Sequence, residues 1–418
     1  MGGEVKQRPG IRRREFLKVG GAAAAAAAVS GVLPRVRRGF AAEEPVRIGI
    51  LGPLTDFTGR DIQRAAQIAA DEINPAGGIL GRQIQLFSGD SEGVPEKAIQ
   101  AFQQLVVRDK VHVVIGGFRS GAVLALVPYV GRLKMPFIIT GAASPDIMKP
   151  VSENYATYKY LFRAWVNSER QALSLAFVCR DILKAQAGFT RYAIDAENLK
   201  WARDFADILK VKLKEYNLEL VHEASHDPAT TDFTPIFKTA QAAKAQALLE
   251  IISNQAGFVI VKQWRDQRVP LALAGNNNPS YLISSFWKDT EGKCKYELSA
   301  YTKAPLSSKS LPFWDKFEKR YGETPFYTGT GAYDSVYLVK VAAEAAKSLD
   351  RDALVAALEK VEYEGIIGRI RFDKEHEAIT GPDAVPVSYG QWMGEKQKVA
   401  IWPEKFSHGK YQPPDWMK

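Results

Sequence analysis

A chain of 418 residues with 46% apolar side chains can bury a large core, most naturally as two lobes. Its formal charge of +9 comes from 56 Lys and Arg against 47 Asp and Glu, yet nine of the bases and only two of the acids lie in the first 41 residues. The remaining chain carries 47 against 45, a balance that gives no basis for nucleic-acid binding by bulk charge.

The first feature in chain order is Arg13-Arg14-Glu15-Phe16-Leu17-Lys18, which resembles a twin-arginine (Tat) export signal. The apolar stretch 19–33 that follows is 15 residues long, shorter than the roughly 20 needed to span a bilayer as a helix. Seven consecutive alanines at 22–28 also make it weakly hydrophobic. Arg35, Arg37 and Arg38 precede Gly39-Phe40-Ala41, where small residues suit a signal peptidase cutting after Ala41. The expectation is a signal peptide over 1–41, export by the twin-arginine route and a mature protein free in the periplasm, with a basic tail as the plainer alternative. No cysteine stands near the cut to take a lipid anchor.

From Val46 the pattern is a repeating strand–turn–helix. Val46-Arg47-Ile48-Gly49-Ile50-Leu51 reads as a strand ended by Gly52-Pro53, and 62–73 has helical apolar spacing that stops at Asn74-Pro75. Strands are expected at 83–87, 111–115 and 136–140, with helices over 95–108 and 120–133 between them. The rhythm restarts after Phe162. Helices at 170–185, 201–216, 233–243 and 257–266 alternate with strands at 192–194, 218–224, 247–252 and 271–274. Two such runs predict an α/β chain of two Rossmann-like lobes, each a parallel sheet flanked by helices. The tail then gives helices at 312–321, 330–348 and 352–361, and strands at 366–372 and 387–393. A helical block followed by late strands suggests a return to the first lobe and then to the second. The expected lobes are 42–163 with 302–364, and 164–301 with 365–418, joined by a multi-stranded hinge. Cys179 and Cys294 leave a single disulfide open, because spacing alone does not bring two Cα atoms within bridging range.

Several segments resemble the type I periplasmic binding proteins of branched-chain amino-acid ABC importers. They are Ile48-Gly49-Ile50-Leu51-Gly52-Pro53-Leu54-Thr55, Asp71-Glu72-Ile73-Asn74 with Gly77-Gly78-Ile79-Leu80-Gly81-Arg82, and Val114-Ile115-Gly116-Gly117 before Ser120. Gly141-Ala142-Ala143-Ser144-Pro145, Thr231-Asp232-Phe233, Ala332-Tyr333-Asp334-Ser335-Val336 and Gly365 ahead of Arg371-Phe372-Asp373 follow in family order. The resemblance implies a receptor that traps a small solute between two lobes and hands it to an inner-membrane permease as a monomer, with no cofactor.

Ligands of open α/β sheets sit beyond the carboxyl ends of strands. Ser120 follows such a strand and begins the next helix, so its hydroxyl and the nearby N–H groups suit a carboxylate, a helix cap, or both. The loop Ala142, Ala143, Ser144 is expected to face it. In amino-acid-binding relatives a Thr commonly stands where Ala143 aligns, and an acidic residue near Asn277; here both partners of an ammonium group are missing. Losing one charge-assisted partner costs about 1–3 kcal/mol, which argues against an ordinary α-amino acid. Trp201 aligns with an aromatic that shapes the side-chain pocket, or packs at a helix start. Phe57 lies where another aromatic often stands, and Asn254 adds a polar tip in the second lobe. These aromatics, a carboxylate grip and neutral amides suit an aromatic acid, a hydroxy or keto acid, or an amide. Arg119 either pairs with an acid or points to solvent.

His222-Glu223-Ala224-Ser225-His226 matches the His-Glu-x-x-His zinc pattern, but alternation in 218–221 predicts a strand, on which i and i+4 lie about 13 Å apart. No phosphate loop, dinucleotide fingerprint or nucleophile elbow is present in the sequence. The expected function is solute binding without catalysis. A chemosensory receptor of the same fold and a Tat-exported enzyme are the alternatives.

Overall fold

The computed structural model describes residues 44–417, so the expected signal over 1–41 lies outside the described residues. Five strands form the first sheet: β1 Val46–Gly52, β2 Ile84–Asp90, β3 Val113–Gly116, β4 Phe137–Ile139 and β5 Leu161–Arg163. Their order is β2-β1-β3-β4-β5 and every pairing is parallel. β3 and β4 are buried throughout, as parallel strands covered on both faces must be. The helices Phe57–Ile73, Pro95–Gln103 and Ser120–Leu133 supply that cover with their apolar faces.

A second sheet holds β6 Arg191–Glu197, β7 Glu219–His226, β8 Ala247–Ile252, β9 Ala272–Asn277 and β10 Leu298–Tyr301. The C-terminal region adds the small hairpin β11 Tyr363–Gly365 and β12 Gly368–Ile370, then β13 Ser388–Gly394 and β14 Gln397–Trp402. The seven-stranded order is β14-β13-β10-β9-β8-β6-β7, with β13 and β14 antiparallel on its edge. The α/β architecture of two sheets therefore stands as expected. The region 366–372 does not form one strand: Gly365 and Gly368 bracket a tight reversal, and Gly368 takes φ +112°, a conformation a side chain resists.

Connections between the sheets explain the late strands. The chain leaves β5 for the helix Ser168–Val178, leaves β10 for the helices Ser310–Tyr321 and Tyr327–Ala346, and returns through 371–387 to β13. The helix Tyr327–Ala346 packs against Phe57–Ile73, on the first sheet's side. The first and third crossings run side by side, with Arg163 N donating to His376 O at 2.9 Å and Ala378 N donating to Arg163 O at 2.9 Å. Asp334, buried in that long helix, accepts from Ile366 N (2.9 Å) and Ile367 N (3.1 Å), which ties the β11–β12 turn to the first lobe.

The segment His222 to His226 lies in β7, so its two histidines share no helical face. His226 Nδ1 instead meets Asp195 Oδ1 at 2.9 Å in the interior of the second lobe. Cys179 and Cys294 are both free and buried, in separate hydrophobic clusters. Among the described residues no helix is long and apolar enough to cross a membrane.

Candidate functional site

The site is built where the carboxyl ends of both sheets meet. β3 ends at Gly116, whose φ of +127° would put any Cβ 2.0 Å from Leu51 O, so only glycine lets the chain turn here beside β1. That turn delivers Phe118 and Arg119 and opens the helix Ser120–Leu133. Ser120 Oγ accepts from Ala143 N and from Ser144 N, each at 3.1 Å. The hydroxyl thus joins the two loops of the first lobe, and Ser120, Ala142, Ala143 and Ser144 form one buried group. Sequence alignment left Ala143 without a hydroxyl; Ser144 provides one a residue later, and its Oγ donates to Asp204 Oδ2 at 2.6 Å in the second lobe.

Behind this loop sits a residue the sequence reading missed. The Arg163 side chain is fully buried at the end of β5, and its guanidinium donates to Ala143 O (3.2 Å) and Ser144 O (2.8 Å). Its charge is met by Glu377 of the third crossing at 3.3 Å.

On the facing wall, Trp201 and Asn254 converge on a second missed residue, Glu197 at the end of β6. The carboxylate is fully buried and accepts from Trp201 Nε1 at 2.6 Å, from Ser253 Oγ and from Asn254 Nδ2. Trp201, in the first turn of the helix Lys200–Glu215, is buried against Phe205 and at the same time donates back to the end of β6. Across the gap Arg119 Nη1 donates to Ser253 Oγ at 3.1 Å, and Lys200 pairs with Asp146 at 2.5 Å. Ser168 Oγ donates to Trp201 O at 3.1 Å while Ser168 N donates to Ala143 O at 2.7 Å, so both walls are also stitched at the crossing.

Phe57 belongs to a neighbouring aromatic cluster. Its ring meets Phe326 edge-on at 5.4 Å, and Phe326 in turn contacts Phe118, Tyr281 and Tyr327. Trp165, on the first crossing, stacks on Tyr327 at 5.0 Å. Burial pushes the Tyr327 hydroxyl well above its ordinary range, with Tyr281 and Glu197 acting in the same direction and Arg119 against it. Asn277 stands apart from the others. It is buried at the end of β9, donating to Gly257 O at 3.0 Å and to Glu250 Oε2 at 3.3 Å. Its Oδ1 lies where a Cβ on Gly257 would fall, so that glycine makes room for it.

An opening of about 430 Å³ leads to Arg119, lined by Thr55, Asp56, Asp90 and Glu92 among others. Among the described residues no group of three or more His, Cys, Asp or Glu side chains suits a metal ion. The arrangement can hold a small polar molecule between two walls by hydrogen bonds from backbone N–H groups, hydroxyls and charges.

Comparison with known proteins agrees with this architecture. The Leu/Ile/Val-binding protein BraC3 of Rhizobium johnstonii is 24% identical over 368 residues, covering 86% of this chain and 94% of that relative. A crystal structure of a branched-chain amino acid ABC transporter protein from Silicibacter pomeroyi superposes with a TM-score of 0.79 at 20% identity, over 90% of this chain and 100% of that one. The branched-chain substrate-binding protein LivJ from Streptococcus pneumoniae, solved with isoleucine, gives 0.73 at 22% identity, over 86% and 100%. These likenesses show the two-lobed type I fold. The model of the family described as periplasmic binding protein matches residues 45–387, and the chain belongs to that family.

Proposed function

We propose that this protein is the substrate-binding protein of an ABC importer, trapping a small carboxylate-bearing solute between its lobes and delivering it to an inner-membrane permease. One observation carries the reading: strand-end loops of the two sheets converge, with Ser120 holding Ala143 and Ser144 on one wall and Glu197 holding Trp201 and Asn254 on the other. Solute bridging these walls favours the closed form by its differential affinity, and the closed form is what the permease recognises. The family's periplasmic binding proteins supply the location, and the twin arginine at Arg13 and Arg14 supplies the route, with cleavage near Ala41. The lobes are taken as 42–163 with 302–364 and 164–301 with 365–418. The chain works as a monomer and makes or breaks no bond in its solute.

The test is a thermal-shift screen of protein beginning at Ala42 against aromatic acids, aliphatic acids, amides and amino acids. Binding adds RT ln(1+[L]/Kd) to stability, so one solute class raises Tm and is recovered unchanged. Conversion of that solute to product, or no shift with any class, refutes the reading.

A further inference from the structure

The Lys398 ammonium is buried in the second lobe, where its three protons face four acceptors: Ser280 Oγ and Ser299 Oγ at 2.7 Å, and Ser280 O and Ala300 O at 3.0 Å. It also lies 5.8 Å from the Trp392 ring centroid and 6.0 Å from those of Tyr281 and Tyr301, within reach of cation–π attraction. Two of the four contacts fall on Ser280. The hydroxyl of that serine also accepts from Trp392 Nε1 at 2.9 Å and from Ser299 Oγ at 3.0 Å, and itself donates to Glu297 Oε2 at 2.8 Å. Ser280 stands in the short helical turn Asn278–Tyr281, directly before Tyr281. The Tyr281 ring meets Phe326 at 5.7 Å and Tyr327 at 5.3 Å in the aromatic cluster beside the crevice.

Tyr281 is not held from every side. Its carbonyl accepts from Thr324 Oγ1 at 3.1 Å, but its ring and that of Tyr301 border a void of about 10 Å³ between the three crossings, closed by Trp165, Thr302 and Pro386. Of the two tethers on this turn, Lys398 is the one that carries a charge to lose. A neutral amine keeps two N–H groups and turns a lone pair toward the surrounding oxygens, so the hold on Ser280 weakens and the attraction to the Tyr281 ring ends.

We propose that Lys398 is a positioning residue of the solute crevice: its ammonium, acting through Ser280, sets the Tyr281 ring in the aromatic wall, and loss of that charge weakens solute binding. The proposal rests on the solute-receptor reading above. Burial brings Lys398 down to about 8, against the pull of Glu297, so the change falls at mildly alkaline pH. The other titratable groups facing the ammonium are Glu297, Cys294, Glu250, Tyr281 and Tyr301. Burial raises Cys294 to about 12 and lifts both tyrosines above their ordinary value. Burial and the neighbouring Glu297 raise Glu250 as well, so its titration has to be separated from that of Lys398.

The experiment is calorimetric titration of the full chain with benzoate and 3-phenylpropionate between pH 7 and 9.5, where both acids stay ionised, in wild-type, K398M and E250Q forms. The Tyr281 ring signal is followed over the same range in protein labelled with carbon-13 tyrosine, assigned by its loss in Y281F. Wild type and E250Q are expected to lose about 2–10-fold in affinity across the range, the reach of one hydrogen bond, while the ring signal moves with the same midpoint. K398M is expected to bind as weakly at pH 7 as wild type does at pH 9.5, with no change of affinity or ring signal. A lysine that only supported the fold would lower the stability of K398M and leave wild-type affinity flat. An affinity constant across the range in wild type, or a profile that vanishes in E250Q, overturns the proposal. Should K398M fail to fold, wild type and E250Q decide. If neither acid binds wild type, the ring signal decides, and a signal that stays fixed overturns the proposal. If no class in the thermal-shift screen binds either, the receptor reading itself falls.

Discussion

Arg163 Nη2 donates to Ser144 O at 2.8 Å, and Nη1 to Ala143 O at 3.2 Å, so a fully buried guanidinium fixes the backbone of the loop that Ser120 touches from the other side. The same guanidinium meets Glu377 on the third crossing. One side chain thus joins the 142–144 loop to the third crossing. Arg163→Met leaves Glu377 buried without its cation and two carbonyls without donors. Removing one partner of such a pair costs about 3–5 kcal/mol, read as a lower urea midpoint. Arg163→Lys keeps the charge but not the fork that spans both carbonyls, and is expected to recover part of the stability while solute affinity stays reduced. Full recovery of affinity in the lysine variant would show that the loop does not depend on the guanidinium.

The contact of Ser144 with Asp204 crosses the crevice at 2.6 Å, beside the pairs that Lys200 makes with Asp146 and Asp204. Ser144→Ala deletes one hydrogen bond that exists only while the walls are together. It should shift the closing equilibrium toward the open form by about 0.5–1.5 kcal/mol, a factor of roughly 2 to 10. Small-angle scattering without solute is expected to give a larger radius of gyration for the variant than for wild type. Identical curves would mean that closure is carried elsewhere.

The sequence pattern made the alternation of strands and helices readable because buried parallel strands are short apolar runs and their helices keep a 3.6-residue spacing. Residues 120–133 and 247–252 form elements with the expected ends for that reason. The facing wall was harder to read. Asp195-Ala196-Glu197 looks like a polar loop after a three-residue strand, yet β7 and β8 pair along its length and bury it, with Asp195 opposite both Ala224 and Glu250. Partners drawn from 29 and 55 residues away set that burial, and local periodicity carries no trace of them. Asn277 lies on a strand longer than expected: β9, expected to end at Ala274, runs on to Asn277, which is packed inside the second lobe. The aromatic cluster was missed because Phe118, Tyr281 and Phe326 come from three segments far apart in the chain and have no common spacing.

Asp334 offers a test by pH. Burial pushes its carboxyl up to about 7, outweighing the N–H groups of Ile366 and Ile367 that favour the charged form. The folded protein then holds a proton between about pH 4 and 7 that the unfolded chain releases. Stability from this group is therefore complete below its ordinary value of 3.8 and is lost as pH rises through about 7. Asp334→Asn cannot titrate. The wild-type urea midpoint, minus that of the variant, should fall between pH 4.5 and 7.5; a constant difference would mean that the carboxyl titrates near its ordinary value.

Cys179 and Cys294 give a direct reading of the free thiols. Burial raises both, Cys294 to about 12, so neither forms the thiolate that reacts with labelling reagents. Native protein is expected to show no reactive thiol and denatured, unreduced protein two. Zero after denaturation would establish a disulfide.

Lys398 on β14 is the buried cation of the second lobe. Its Nζ donates to Ser280 Oγ and Ser299 Oγ at 2.7 Å each, and to Ser280 O and Ala300 O at 3.0 Å each. Ser280 Oγ passes the contact on to Glu297 Oε2 at 2.8 Å, so the ammonium acts on a buried carboxylate through one hydroxyl. Burial lowers Lys398 to about 8, against the pull of Glu297, which leaves it charged at neutral pH. Lys398→Met fills similar space but strands Glu297 and two serines, at a cost of about 3–5 kcal/mol at pH 7. The linkage runs opposite to that of Asp334. Between about pH 8 and 10.5 the unfolded chain keeps a proton that the folded one has released, so rising pH favours the fold through this group. The stability difference between wild type and Lys398→Met should widen over that interval, and a difference that narrows would place the folded lysine above 10.5.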